Sequence, residues 1–184
     1  MYGMVNAAIE SMVTEKFGPE KWAAVKARAG IEEPMFISMK QYPDSATYAL
    51  AGAAAEELGM PLPDVLRAFG TYWVDYAKRG PYGRIMLSSG KGTYELLSAL
   101  DDMHARIGMS FPELRPPSFR VEPQGDAVIL EYRSERPGLA VFVEGLVEGV
   151  ANLYGETVDV RQIASREAGA PHDRFLVRVT GRKG

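Results

Sequence analysis

The chain has 184 residues, of which 46% are hydrophobic and 24% charged, and this balance predicts one globular domain with a sizeable core. It contains no cysteine, which excludes disulfides, zinc–thiolate and iron–sulfur centres and covalent c-type haem. A net charge of −3 gives no bulk attraction to nucleic acid or anionic lipid, and the longest apolar run, residues 48–55, is too short for a membrane span. No basic stretch precedes an apolar one at the N-terminus, so we predict a soluble cytoplasmic protein without a secretory signal.

The residues before Pro116 carry mainly helical signals. Apolar residues recur at helical spacing, prolines stand where helices could begin, and glycines stand where they could end. These signals predict helices over residues 5–17, 19–29, 44–58, 63–76, 82–87 and 93–107.

After Pro117 the hydrophobic period changes from that of helices to the alternation of strands. The pattern predicts strands over 119–121 and 128–132 with a hairpin loop at 123–126, a helix over 139–154, and strands over 158–163 and 175–179. The chain therefore reads as a helical half followed by a β-β-α-β-β half. No repeat or low-complexity segment interrupts it.

One of the two histidines, His104, lies on the apolar stripe of its predicted helix, in line with Leu97, Leu100 and Ile107. A core histidine bonded to a carbonyl would fit this position. That is the commoner role of a lone histidine, but an axial ligand would also fit, because a five-coordinate haem needs one neutral imidazole in an apolar pocket. The other histidine, His172, follows a Gly/Pro-containing loop and is expected to be solvated.

A second candidate site is formed by Tyr132, Ser134 and Arg136, which alternate along the chain. In an extended segment these three side chains point to one face, where two hydroxyls and a guanidinium suit a carboxylate or phosphate. The two propionates of a haem are such carboxylates. The alternative interpretation is an exposed strand edge with no ligand.

Other patterns are weaker. Gly follows Lys91 where a phosphate-binding loop requires Ser or Thr, and basic residues do not cluster with aromatic ones as nucleic-acid binding would require. Adjacent carboxylates such as Asp101 and Asp102 diverge on a helix and make poor metal chelates.

Taken together, several motifs resemble those of the H-NOX (haem nitric oxide/oxygen binding) domain, the haem domain of soluble guanylate cyclase and its bacterial stand-alone relatives. The resemblance spans essentially the whole chain. Its motifs are MYGMVN at residues 1–6, LDDMHARIG at 100–108, FPELRPPSF at 111–119 and YRSER at 132–136, together with FGTYWV at 69–74 and Gly145-Leu146.

The resemblance implies an α+β fold and a single haem domain over residues 1–184. A distal helical subdomain is expected at about 1–62 and a proximal subdomain with a four-stranded antiparallel sheet and helices at 63–184, with the haem between them. His104 matches the proximal iron ligand of a non-covalent haem b. Tyr132, Ser134 and Arg136 match the propionate clamp, and Pro117 matches the proline that distorts the haem.

The resemblance also places five side chains at the distal side of the haem, namely Val5, Ile9, Trp73, Phe142 and Leu146. Family members that hold O2 have a distal tyrosine at the position occupied here by Phe142, or by Val141 if the count is shifted by one. Neither side chain donates a hydrogen bond. The sequence therefore predicts binding of NO and CO and exclusion of O2.

The predicted function is a non-catalytic gas sensor. By analogy with the family, NO weakens the bond between iron and His104, and the signal passes to a separate histidine kinase or diguanylate cyclase. Three alternatives remain open: a peroxidase-like haem enzyme, an O2-binding member of the family, and an interaction module without a cofactor.

Overall fold

A computed structural model describes residues 1–111 and 113–182 of the chain. The helices are α1 (Gly3–Phe17), α2 (Pro19–Arg28), α3 (Asp44–Leu58), α4 (Leu62–Arg79), α5 (Gly83–Ser88), α6 (Thr93–Ser98), α7 (Leu100–Gly108) and α8 (Ala140–Leu153). The strands are β1 (Ser118–Gln124), β2 (Ala127–Arg133), β3 (Glu156–Ala164) and β4 (Asp173–Arg182). The chain divides into two compact units, the first ending at Phe69 and the second beginning at Gly70.

The first unit is built from α1, α2 and α3, which pack against one another. Gly18, with φ 91°, ends α1 and precedes Pro19 at the first position of α2, so a single residue makes the turn between the helices. Inside this unit, the hydroxyl of Thr47 donates a 2.6 Å hydrogen bond to the buried Asn6 side chain. This bond ties the start of α3 to α1.

The second unit contains one antiparallel sheet with the strand order β1-β2-β4-β3. Gln124 pairs with Ala127, so the first hairpin turns on two residues only, Gly125 (φ 64°) and Asp126. One sheet face carries Phe119, Leu130, Phe175 and further apolar residues of a single buried core, to which α6, α7 and α8 also contribute. Packing against the sheet, α6 and α8 holds α7 in place.

Within the second unit, the backbones of α4 and α8 approach each other closely. A Cβ atom at Gly70 would lie 2.1 Å from the Phe142 carbonyl oxygen, and one at Gly149 would lie 2.8 Å from the Thr71 carbonyl oxygen. The hydroxyl of Thr71 donates to the carbonyl of Gly145 at 3.1 Å. Glycine is therefore required where the two helices cross, because no side chain fits between the main chains.

We expect Gly70→Ala to lower the free energy of unfolding by about 1–3 kcal/mol, since main-chain atoms must move to admit the methyl group. Gly52→Ala is the matched control, because Gly52 is also helical but has no heavy atom within 4 Å of the added Cβ. There we expect a gain of roughly 0.5–1 kcal/mol from the better helix former. Urea denaturation measures both, and equal effects of the two substitutions would contradict the close approach.

The predicted fold class is confirmed: a helical N-terminal part precedes a part with a four-stranded antiparallel sheet and helices. One helix prediction is wrong, because residues 93–107 form two helices separated at Ala99 instead of one. The Ser98 hydroxyl donates to the Tyr94 carbonyl at 2.8 Å, a local bond of the kind that bends helices. The hairpin loop is also shorter than predicted, since Pro123 and Gln124 belong to β1.

Among the described residues, no helix combines the length and the hydropathy that crossing a bilayer requires.

Candidate functional site

His104 lies on α7, one turn after Asp101. The Asp101 carboxylate accepts hydrogen bonds from the backbone N–H of Phe119 at 2.7 Å and from the Ser118 hydroxyl at 2.8 Å. Asp101 and Asp102 also lie in the first turn of the helix, and Arg106 lies in the last. These charges interact favourably with the helix dipole at both ends and stabilise α7. These contacts fix α7, and with it His104, against the start of β1.

A pocket of about 330 Å³ opens beside His104. Its lining is mostly apolar, and Pro117 forms part of it together with Asp101, Ala105, Gly108, Leu114, Pro116 and Ser118. Pro112, part of the same sequence motif, lies outside the described residues. His104 and Pro117, two residues singled out from the sequence, therefore border one pocket.

The surroundings of His104 favour its neutral form. Burial lowers the pKa of the imidazole below its usual value, and the Asp101 carboxylate and the Pro117 carbonyl oppose this shift only in part. At pH 7 the ring is therefore uncharged, which is the form that binds metal ions. Its Nδ1 atom is buried and has no hydrogen-bond partner within the part of the chain that the structure describes.

Aromatic rings connect His104 to the predicted clamp. The His104 and Phe119 rings are 6.1 Å apart, and those of Phe119 and Tyr132 are 5.3 Å apart. Phe119 and Tyr132 are paired residues of β1 and β2, and both are buried. The ligand candidate and the first clamp residue thus belong to one packed layer.

The alternation of the three residues predicts that the clamp segment is extended throughout, but only its first part is. Strand β2 ends at Arg133, and a bend follows Ser134. There the Ser134 hydroxyl accepts a 3.1 Å hydrogen bond from the backbone N–H of Arg136, whose guanidinium donates to the Arg115 carbonyl at 3.1 Å. A turn, rather than strand geometry, positions Arg136.

Three of the predicted distal residues lie on the two crossing helices of the second unit. Trp73 on α4 stacks on Tyr76 with ring centroids 6.1 Å apart. Leu146 on α8 is buried, and Phe142 packs against the same core. The other two, half-buried Val5 and buried Ile9, lie on α1 in the first unit.

The expectation that His172 is solvated is wrong. Only 15% of its side chain is exposed, and its Nε2 lies 3.1 Å from Oε1 of Glu131. Burial raises the pKa of the Glu131 carboxyl, but His172 and Arg133 more than offset this, and the pKa falls below its usual value. Glu131 alternates with the core residues Leu130 and Tyr132, so His172 lies on the sheet face opposite the core.

Two residues of the site region were not identified from the sequence. From the sequence, Asp101 counts only as a poor metal chelate with Asp102, although its position three residues before His104 places it and His104 on one side of the helix. Arg166 lies in the loop between β3 and β4, and its guanidinium donates to the Ser134 carbonyl. No local pattern marks this contact, because the two residues are 32 positions apart.

The donor set near the pocket fits a haem. The residues described in the structure contain no cluster of three or more His, Cys, Asp and Glu side chains suited to a metal ion. A single neutral imidazole beside an apolar pocket would instead suit an iron whose remaining ligands come from a porphyrin.

Comparison with solved structures agrees with this interpretation. The H-NOX protein from S. oneidensis in the Fe(II)NO ligation state superimposes with a TM-score of 0.88 and 22% identity, covering 98% of this chain and all of that one. The Fe(II) unliganded H-NOX protein from K. algicida gives a TM-score of 0.84 at 18% identity, covering 99% and 98%. The chain therefore shares the fold of these H-NOX proteins.

The chain belongs to the haem-NO-binding family, whose model matches residues 2–162. Among curated proteins, it is 26% identical over 180 residues to soluble guanylate cyclase gcy-31 of Caenorhabditis elegans, covering 97% of this chain and 26% of that protein. It is 33% identical over 120 residues to guanylate cyclase soluble subunit beta-2 of Rattus norvegicus, covering 61% and 18%. The chain thus spans about a quarter or less of the length of these relatives.

Proposed function

We propose that this chain is a non-catalytic sensor that binds NO and CO at a non-covalent haem b, excludes O2, and signals to a separate effector such as a histidine kinase or a diguanylate cyclase. The observation that carries the proposal is His104, a neutral imidazole at the edge of a mostly apolar pocket in a chain of the haem-NO-binding family. The haem would supply the ferrous iron that binds the gas.

The chain's own residues have distinct parts in this proposal. His104 would ligate the iron through its imidazole, while Asp101 accepts a hydrogen bond from the backbone N–H of Phe119 and so holds α7 against β1. Tyr132, Ser134 and Arg136 would bind the propionates, and the rigid ring of Pro117 would press on the porphyrin from the pocket wall. Because α7 is hydrogen-bonded to β1 through Asp101, a shift of His104 would also move β1.

The two crossing helices of the second unit would supply the gas-binding side. Phe142 and Leu146 offer only hydrocarbon, which suits weakly polar NO and CO better than a polarised O2. Val5 and Ile9 on α1 remain predicted members of the same set.

The peroxidase-like alternative lacks a base. Besides His104 the sequence has one imidazole, and His172 is held beside Glu131 on the sheet face away from the core. General acid–base catalysis needs such a group within hydrogen-bond reach of the reacting atoms.

The test is to express the chain with a haem precursor, reduce it without air, and record absorption spectra before and after adding NO or CO. We expect a Soret band in the ferrous protein that shifts with each gas. A folded protein that takes up no haem, even when titrated with haemin, would overturn the proposal.

A further inference from the structure

The propionate clamp is supported from a part of the chain that the sequence motif does not include. β2 pairs with β4 up to Tyr132 and with β1 up to Arg133, so the Ser134 carbonyl lies just beyond the sheet ladder. Ser134 is half-buried, and a carbonyl in that situation needs a donor. The Arg166 guanidinium provides it.

Arg166 is itself held in place. Its backbone N–H donates to Asp173 Oδ1 at 2.9 Å, and the Gln162 side chain donates to the same oxygen at 2.9 Å. Around it, the β3–β4 loop closes on backbone hydrogen bonds from Ala168 and Ala170 to the Ser165 carbonyl. The side chain therefore extends from a fixed base, and little further ordering is needed for it to reach Ser134.

The contact acts on the whole clamp turn. The Ser134 hydroxyl accepts from the Arg136 N–H, so the position of the Ser134 main chain determines where Arg136 begins. Arg115 adds only a carbonyl acceptor for Arg136 and a 3.8 Å ion pair to Glu135, in which both side chains are about 80% exposed. Such an exposed pair contributes little. Arg166 is thus a half-buried cation that reaches this turn from the β3–β4 loop.

We propose that Arg166 is a positioning residue for the haem propionates: by binding the Ser134 carbonyl, it holds Ser134 and Arg136 in the orientation that receives the two carboxylates. The inference rests on the proposed function, because it requires a bound haem. It adds the β3–β4 loop to the elements that determine haem retention.

The experiment measures the rate at which ferric haem transfers from the holoprotein to excess apomyoglobin. We expect Arg166→Ala to release haem about tenfold faster than the unmodified protein, which corresponds to about 1.4 kcal/mol. Arg136→Ala should release it faster still. Arg166→Lys keeps a cationic donor of similar length and should restore most of the retention. Arg161→Ala, an exposed arginine of β3 opposite Leu176, is the matched control and should leave the rate unchanged.

Two further readouts separate positioning from general damage and from direct charge attraction. The resonance Raman propionate-bending band should shift in Arg166→Ala and return in Arg166→Lys, while thermal unfolding of the variants verifies that each is folded. The ratio of the Arg166→Ala rate to the unmodified rate should persist from 0.05 to 1 M salt, because a hydrogen bond to a carbonyl is screened far less than attraction between charges.

The proposal is overturned if folded Arg166→Ala releases haem within twofold of the unmodified rate while Arg136→Ala releases it faster. It is also overturned if high salt abolishes the difference, which would make Arg166 a direct ion-pair partner of a propionate. If the unmodified protein takes up no haem, the proposed function fails first and this inference fails with it.

Discussion

His104→Gly is expected to abolish the five-coordinate ferrous spectrum, because it removes the imidazole beside the pocket. A glycine leaves space for a small ligand, so added imidazole should restore the spectrum. The measurement is absorption of the reduced protein without air, with and without imidazole. His172→Gln removes the other imidazole of the chain and is the matched control, since His172 lies beside Glu131 on the opposite sheet face.

Two results would count against His104 as the ligand. One is an unchanged ferrous spectrum in folded His104→Gly protein. The other is loss of the five-coordinate spectrum in His172→Gln instead. Either would return His104 to the alternative of a core histidine bonded to a carbonyl, for which the Pro117 carbonyl is the candidate acceptor.

The second large effect concerns O2. The reduced, unmodified protein in air is expected to show no stable spectral change before it oxidises, whereas NO and CO change its spectrum at once. A hydrogen bond to a strongly polarised acceptor contributes roughly 1.5–3 kcal/mol, or about one to two decades in affinity. The side chains of Phe142 and Leu146 cannot donate one.

Phe142→Tyr is the constructive form of this test and is expected to raise O2 affinity by about one to two decades if its hydroxyl reaches the gas. Stopped-flow mixing with aerated buffer measures the effect, and Phe142→Leu controls for the changed volume. A stable O2 spectrum in the unmodified protein would contradict the expected exclusion. Loss of that spectrum in Trp73→Phe would then identify the indole N–H as the donor.

Hydrophobic period and capping signals predicted the element order except for the division of residues 93–107 into α6 and α7, because each apolar stripe is a property of neighbouring residues. They placed His104 on the apolar stripe of a helix, and the change of period near Pro117 marks the transition from helices to the first hairpin. Strand ends were less well predicted: β4 runs over Asp173–Arg182, well beyond residues 175–179. Its ends are fixed by hydrogen bonds to β2 and β3, which alternation does not report.

The remaining differences between the sequence-based predictions and the structure arise from side-chain hydrogen bonds and from contacts between distant parts of the chain. The break at Ala99 follows from one serine hydroxyl bonding to the backbone, a contact that leaves the apolar period intact. His172 is covered because β4 brings it beside Glu131, 41 residues earlier in the chain, and Arg166 reaches Ser134 for the same kind of reason. The resemblance implied a role for each matched residue, whereas the contacts that support the clamp could be identified only from the three-dimensional structure.

The crossing of α4 and α8 has a consequence for anyone who wishes to redesign the protein. At Gly70 and Gly149 the main chains of the two helices are in contact. The distance between the helices is therefore determined by the backbone and does not depend on side-chain size. A combinatorial library at Trp73, Phe142 and Leu146 that leaves these glycines alone would therefore vary side-chain size and polarity without changing the distance between the helices. Differences in gas binding between two such variants could then be attributed to the substituted side chains, because the distance between α4 and α8 is the same in both.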